Sequence, residues 1–549
     1  MILLKKIGNL KKVILLSGLL SLVGCSQIVK NQYQPITQDE LNAYYTDIPF
    51  DMPQVQLPVF NNYEVSIVKF GAVADGQALN TEAIQEAIDH VAEKGGGRVV
   101  IPEGTWLTGP ITLKSNVNLH AEVNSLIVFS PDYNLYPIVD ASFEGLNTKR
   151  AQSPITVRNA ENVAITGQGV FNGAGDAWRP VKRDKMTEKQ FKDLIKSGGV
   201  LSDDGKMWFP SEASKRANAM CVDQNVPVGP QTDEEWLAIH DFLRPVLINI
   251  ISSKNVLLDG VTFENSPSWN IHPLMSENVV LSNLTVRNPW YSQNGDGVDL
   301  ESCKNSLIVN CNFDVGDDAI CMKSGKNEDG RNRNMPTENV IVKNCVVYHG
   351  HGGFVVGSEM SGDVRNIWVS SCSFIGTDVG LRFKSTRGRG GVVENIYITD
   401  INMVNIPTDP LLFDLFYGGK APGEEDDNTQ GNNGSSVIPP VTVETPSFRD
   451  IYIKNVVSNG SNRAMYFNGL PEMKVKNIVI ENSIFKSKQG AVINHTDGVI
   501  LKNVQIDRSK GNMVSISNVD NAVFENVVSS KGEKLVLNKK GENKNIALK

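Results

Sequence analysis

Cysteine and histidine are sparse here: seven of each in 549 residues. No CxxC pair occurs, and no His/Cys cluster has the spacing of a metal site. Zinc-ribbon and dithiol-redox readings fall away, and neither a metal nor a cofactor is expected. Positive charge is short as well, since 53 Lys and Arg against 61 Asp and Glu leave a net charge of -8. That balance excludes a nucleic acid or an anionic membrane face held by bulk electrostatics. Long apolar runs are missing too; the stretch Val13 to Val23 is too short to span a bilayer. What remains, 40% hydrophobic and 21% charged residues, is ordinary for a folded chain.

The first residues read as a processing signal. Lys5, Lys6, Lys11 and Lys12 precede the apolar stretch, which ends in Leu22-Val23-Gly24-Cys25. That ending resembles the bacterial lipoprotein cleavage box. The resemblance implies a signal peptide over residues 1–24, lipidation of Cys25 and, with Ser26 following, export to the outer membrane. Any membrane contact is expected through that anchor alone. Residues 25–56 read as a polar tether, and 57–549 as one folded domain, expected as a monomer. Six cysteines remain, but Cys311, Cys345 and Cys372 recur at one place in successive repeats. Stacked thiols used as small apolar filler are expected there, not disulfides.

A short pattern dominates the middle of the chain. Asn opens a strand and a second Asn, Asp or Ser closes it, as in Asn255-Val-Leu-Leu-Asp-Gly260, Asn278-Val-Val-Leu-Ser-Asn283 and Asn339-Val-Ile-Val-Lys-Asn344. Copies recur at roughly 21 to 34 residues, the range of a solenoid. Each strand is too short to be stable alone, so coils must stack, pairing strands in parallel around one apolar core. The closing Asn tolerates a left-handed turn, and its recurrence predicts an asparagine ladder. The fold expected is an all-β, single-stranded, right-handed parallel β-helix. A short amphipathic helix over Asn80 to Lys94, ending at Gly95-Gly96-Gly97, would cap its open end. Two insertions break the rhythm, 172–245 with a capping box at Thr187 and Gln190, and the Gly/Pro-rich 407–448.

The chemically dense stretch runs from Asn294 to Gly391. It carries Asn294-Gly-Asp296, Gly316-Asp317-Asp318, Gly350-His351-Gly352 and Arg382-Phe-Lys384. Stacking would bring Asp296, Asp317 and Asp318 together, and crowded carboxylates raise at least one pKa by mutual repulsion. A proton-holding acid beside an ionised base is what glycosidic hydrolysis needs. Neighbours on a strand face opposite ways, so Asp317 and Asp318 require a bend, for which Gly316 offers a place. His351 sits between glycines, where the backbone is free to turn. Arg382 and Lys384, two apart, project to one face and supply the local positive charge that an acidic ligand demands.

These four clusters in this order resemble the polygalacturonases, glycoside hydrolase family 28. Phe70-Gly-Ala-Val-Ala-Asp-Gly and Gly109-Pro-Ile-Thr-Leu-Lys-Ser-Asn116 resemble the opening of the same family, and the likeness spans roughly residues 65 to 530. It implies hydrolysis of α-1,4-galacturonosidic bonds with inversion, Asp317 as general acid and Asp296 and Asp318 activating water. His351 would lie beside the acid, while Arg382, Lys384 and Asn294 would bind an acidic polysaccharide or oligosaccharide. His349 and the pair Arg387 and Arg389 fall outside the motifs. The glycine at position 295, where many members have Thr, resembles exo-acting bacterial members, and the insertions would wall off one end of the groove. Rhamnogalacturonan as substrate, a β-helical pectate lyase and a non-catalytic glycan-binding solenoid are the rivals.

Overall fold

A computed structural model describes residues 33–221, 225–418 and 438–549. Residues 1–24, read above as a signal peptide, and Cys25 lie outside the described residues. Residues 36–549 form one compact unit.

Parallel pairing repeats coil after coil. One ladder runs through Ile155–Arg158, Ile248–Ile251, Ile271–Leu274, Val298–Glu301, Ile320–Lys323, Gly352–Val356, Val379–Lys384 and Leu411–Asp414. It is called the floor ladder below. A flank ladder joins Lys254–Asp259, Glu277–Ser282, Lys304–Val309, Thr337–Lys343 and Val364–Ile375. A third joins Thr262–Glu264, Thr285–Arg287, Asn312–Asp314 and Val346–His349. Inward side chains such as Leu300, Met322, Val356 and Phe383 fill one continuous core. This is the parallel β-helix expected from the repeat.

The corners explain the asparagines. Asn255, Asn278, Asn305, Asn339 and Asn366 all have φ between 54 and 59°, in the left-handed region that Asn tolerates. Their amides bond from coil to coil, Asn278 to Asn255 at 2.8 Å and Asn339 to Asn305 at 3.1 Å. A second ladder forms at the closing position, where Asn310 bonds Asn283 at 3.3 Å and Asn344 bonds Asn310 at 3.2 Å. The repeat therefore builds two ladders, one more than expected. Cys311, Cys345 and Cys372 are fully buried and unpaired, as filler should be.

The capping helix is Thr81–Glu93, with Ile84, Ala87, Ile88 and Val91 buried against the core. The capping box at Thr187 opens the helix Glu188–Lys196. Three features depart from the sequence reading. From Ile36 on, the tether is a packed strap: Ile36, Leu41 and Val55 are buried on the outward residues Leu257, Val280, Leu307, Ile341 and Trp368 of the flank ladder. Its polar average hides those apolar positions. The insertion placed at 407–448 contains a regular floor strand, Leu411–Asp414; residues 419–437 lie outside the described ones. The third is an element not foreseen at all, the antiparallel hairpin Ile138–Phe143 with Leu146–Ala151. Glu144 and Gly145 turn it with φ of 50 and 75°, as a two-residue hairpin loop requires.

Candidate active site

The register of the floor ladder assembles the site. Val298 pairs with Ile320, Ile320 with Phe354, and Phe354 with Leu381. The corners just before these strands therefore stack Asp296, the pair Asp317 and Asp318, and His351, while Arg382 and Lys384 lie on the fourth strand. One carboxylate oxygen from each of Asp296, Asp317 and Asp318 falls within 4.8 Å of the others. The bend demanded by the aspartate pair is present: residues 316–317 form it, and the strand starts only at Ile320. At Gly316 a Cβ would stand 2.5 Å from the Pro289 carbonyl oxygen, so glycine is needed for space.

The three acids are not equivalent. Asp318 is buried, with Oδ1 3.2 Å from an Arg382 Nη1 and Oδ2 2.7 Å from Lys384 Nζ. Burial alone would raise its pKa; the Lys384 and Arg382 charges, with His351 behind them, reverse that and hold it well below the usual carboxylate range. Asp296 is also buried, and its Oδ1 has no hydrogen-bond partner. Burial, then the charges of Asp299 and Asp317, push its pKa well above normal. Asp317 is the half-exposed member. It accepts the Asp318 N–H at 3.1 Å and the Asn294 N–H at 3.3 Å, and its carbonyl takes the His351 N–H at 2.8 Å. Asp296 is thus the member of the cluster that burial and neighbouring carboxylates drive toward holding a proton.

Three carboxylate oxygens so close match what an oxygen-preferring divalent ion requires. Here both Asp318 oxygens already face Arg382 and Lys384, so side chains supply the compensating charge.

Several neighbours escaped the sequence reading. His351 Nδ1 lies 2.7 Å from Asp378 Oδ2, which orients the ring. Its flanking glycines do not adopt left-handed backbone; Gly352 instead leaves room for Asp318, whose Oδ1 would lie 3.0 Å from an added Cβ. Tyr417 covers both cations, 4.9 Å from Lys384 Nζ and 5.5 Å from the Arg382 guanidinium. Behind Asp296, Lys323 pairs with Glu359 at 2.9 Å and approaches Asp299 at 3.5 Å. These residues sit in ordinary strand or loop contexts, so no local signal marks them. Asn294 also has protein partners. Its carboxamide is taken by Arg244 at 3.0 Å, Asn225 at 3.0 Å and Glu144 at 3.3 Å, leaving its backbone to position Asp317. His349 pairs with Asp314, Arg387 with Glu472, and Arg389 donates to Asn327. None of the three joins the cluster.

One end of the floor ladder is roofed. The hairpin crosses its outward face: Phe143 packs on Trp269 with ring centroids 4.8 Å apart, and Ser142 accepts from Arg333 at 2.8 Å. The Gly145 carbonyl takes the Lys326 N–H at 3.0 Å. Beneath it the outward-facing His272, Asp299 and Glu301 have no exposure.

Comparison with known proteins adds to this geometry. A family model for glycosyl hydrolases family 28 matches residues 243–431, and one for rhamnogalacturonase A/epimerase, pectate lyase-like, matches 64–185. The crystal structure of an exopolygalacturonase from Thermotoga maritima is 32% identical at a TM-score of 0.65, covering 82% of this chain and 94% of its own. The chain belongs to glycoside hydrolase family 28. An exo-poly-alpha-D-galacturonosidase of Dickeya chrysanthemi is 28% identical over 416 residues, 74% of this family member and 64% of the relative. A probable polygalacturonase of Vitis vinifera is 28% identical over 351 residues, 62% and 61% of the two chains. The match thus spans just over three fifths of these two relatives. The family model covers all seven motif residues, from Asn294 to Lys384.

Proposed function

We propose that the protein hydrolyses α-1,4-galacturonosidic bonds of pectin or its oligosaccharides, from a chain end and with inversion. The observation that carries this reading is the acid triad beside two cations. One carboxylate is forced to stay ionised and another is driven to keep a proton, with a half-exposed third beside them. Asp318 then serves as base toward water. Asp317, the member a sugar can reach, protonates the leaving oxygen, drawing on the proton that Asp296 retains within 4.8 Å. Arg382 and Lys384 bind the uronate carboxylate at the cleaved bond. The relatives named for exo-attack and the roof beyond Asp296 support a site open at one end only.

The same reading takes the protein as exported and lipid-anchored at Cys25, on the strength of Leu22-Val23-Gly24-Cys25. Timed product sizing on polygalacturonate tests the activity. Small saturated products from the first minutes, with new reducing ends and no ultraviolet-absorbing uronate, are expected. Unsaturated products would make it a lyase, and an early spread of oligomers would refute chain-end attack. Asp317→Asn is expected to lower turnover by at least about 10²–10⁴-fold with the fold intact.

A further inference from the structure

The net charge of -8 is unevenly spread along the chain. Residues 447–549 carry 16 Lys and Arg against 9 Asp and Glu, so the last coils are positive on a chain that is negative overall. Most acids there are already engaged: Glu472 with Arg387, Asp520 with Lys474, Glu525 with Lys502 and Glu533 with Arg508. Lys488, Lys510 and Lys534 are exposed and form no ion pair among the described residues.

Register ties these lysines to the acid cluster. The outward row of the floor ladder runs in unbroken pairing from Cys321 through Arg382 and Tyr466 to Asn538. Four residues before that row stand Asp317, His351 and Asp378 in the early coils, and Lys488 and Lys534 in the last ones. Lys510 falls one residue short of the same position, and its N–H bonds the Lys488 carbonyl at 3.0 Å. The outward face also reopens: Val355 and Arg382 are buried, while Leu412, Tyr466, Val492 and Ser515 are half-exposed. The acids of this stretch do not cancel the lysines, since Asp409 is spent on Arg463 and Asp414 accepts from Asn468.

We propose that the floor ladder beyond Lys384 is a docking track for an acidic polysaccharide whose end lies at Asp317, with carboxylates farther along the chain on Lys488, Lys510 and Lys534. Galacturonan as the polymer rests on the reading above; the demand for a polyanion along this trough does not. Cations that continue the register of the acid cluster fit a linear chain better than a flat anionic surface. Five coil steps separate Asp317 from Lys488, about 24 Å at the spacing of paired strands, so a disaccharide at the acids does not reach the lysines. Each exposed contact is weak alone, but contacts joined by one polymer reinforce each other and hold it between cuts.

The test combines Lys488→Gln, Lys510→Gln and Lys534→Gln in one protein. Lys69→Gln, Lys94→Gln and Lys476→Gln, an equal change of charge at exposed positions elsewhere, form the control. Melting curves of both are recorded beside the parent. The track variant is expected to raise KM for long polygalacturonate at least about fivefold at low salt. Its kcat and its KM for digalacturonate should stay at parental values. The difference should fade near 1 M salt, where charges are screened beyond about 3 Å. An unchanged polymer KM overturns the proposal, as does an equal rise in the control or on digalacturonate. Retention on immobilised polygalacturonate separates the track from the activity. Retention that the track variant loses, in a parent that hydrolyses nothing, would keep the track and refute the proposed activity. A parent that is not retained, or lysines that matter only for binding phosphatidylglycerol vesicles, would overturn the track.

Discussion

Lys384 shows how one side chain serves two purposes at this site. Its ammonium lies 2.7 Å from Asp318 in a buried setting, where opposite charges shift pKa values by one to three units. Truncation in Lys384→Ala removes the leading charge that holds Asp318 ionised. The acid limb of its kcat/KM profile should therefore move up by about one pH unit or more, alongside the rise in KM. An unshifted limb would mean that Asp318 is not the group whose ionisation the rate follows. Asp296 offers the opposite sign. Its folded pKa stands above the unfolded value, so its contribution to stability is complete below about pH 4 and is lost as pH rises through the raised value. Asp296→Asn cannot ionise and escapes that loss. Melting temperatures recorded from pH 5 to pH 9 should fall more for the parent than for the variant. Parallel curves would show that no proton is held there.

Among the larger elements, the hairpin Ile138–Ala151 lies across the outward face of the floor ladder. The buried acids and histidine beneath it lie on outward faces of strands that would otherwise continue the groove past Asp296. Replacing residues 141–148 by a Gly-Gly turn should open that path. Early products from polygalacturonate are then expected to change from the smallest sugars to a mixture of oligomers, read by chromatography within the first few per cent of conversion. An unchanged product pattern would move chain-end selection elsewhere, to the insertion around Asn225. This element also marks the limit of what the sequence discloses. The coils were legible because the same Asn corners and apolar strands recur, and the four motif clusters because stacking one coil on the next fixes their juxtaposition. Nothing repeats in Ile138–Ala151, and its contacts reach residues such as Trp269 and Arg333, more than a hundred positions away. Asp378, Tyr417 and Lys323 were hidden for the same reason, since their roles arise from partners in other coils. For Asn294 the motif is visible in the sequence, while Arg244 and Glu144, which bond its amide, are not.

At the scale of the whole molecule, a solenoid bonds each coil only to its neighbours, so its stability is close to a sum of local terms. The strap changes that. Leu41, fully buried, and its companions Ile36 and Val55 lie across Leu257, Val280, Leu307, Ile341 and Trp368, which belong to five consecutive coils of the flank ladder. Ile36 N–H also bonds Asp259 at 3.1 Å, and Asn310 donates to the Tyr44 hydroxyl at 2.8 Å. Coils that do not touch one another thereby become coupled through a single segment, on a face distinct from the acid triad. A chain lacking residues 1–60, compared with one lacking only 1–32, should expose that apolar stripe and lose roughly 25 cal/mol for each Å² uncovered. The expected result is a melting temperature lower by several degrees and a broader transition, as the middle coils begin to open independently of the ends. At 25 °C kcat/KM should stay unchanged, since the floor ladder keeps its register without the strap. Coincident calorimetric traces for the two chains would mean that the flank ladder holds itself together, and that the strap covers it without coupling the coils.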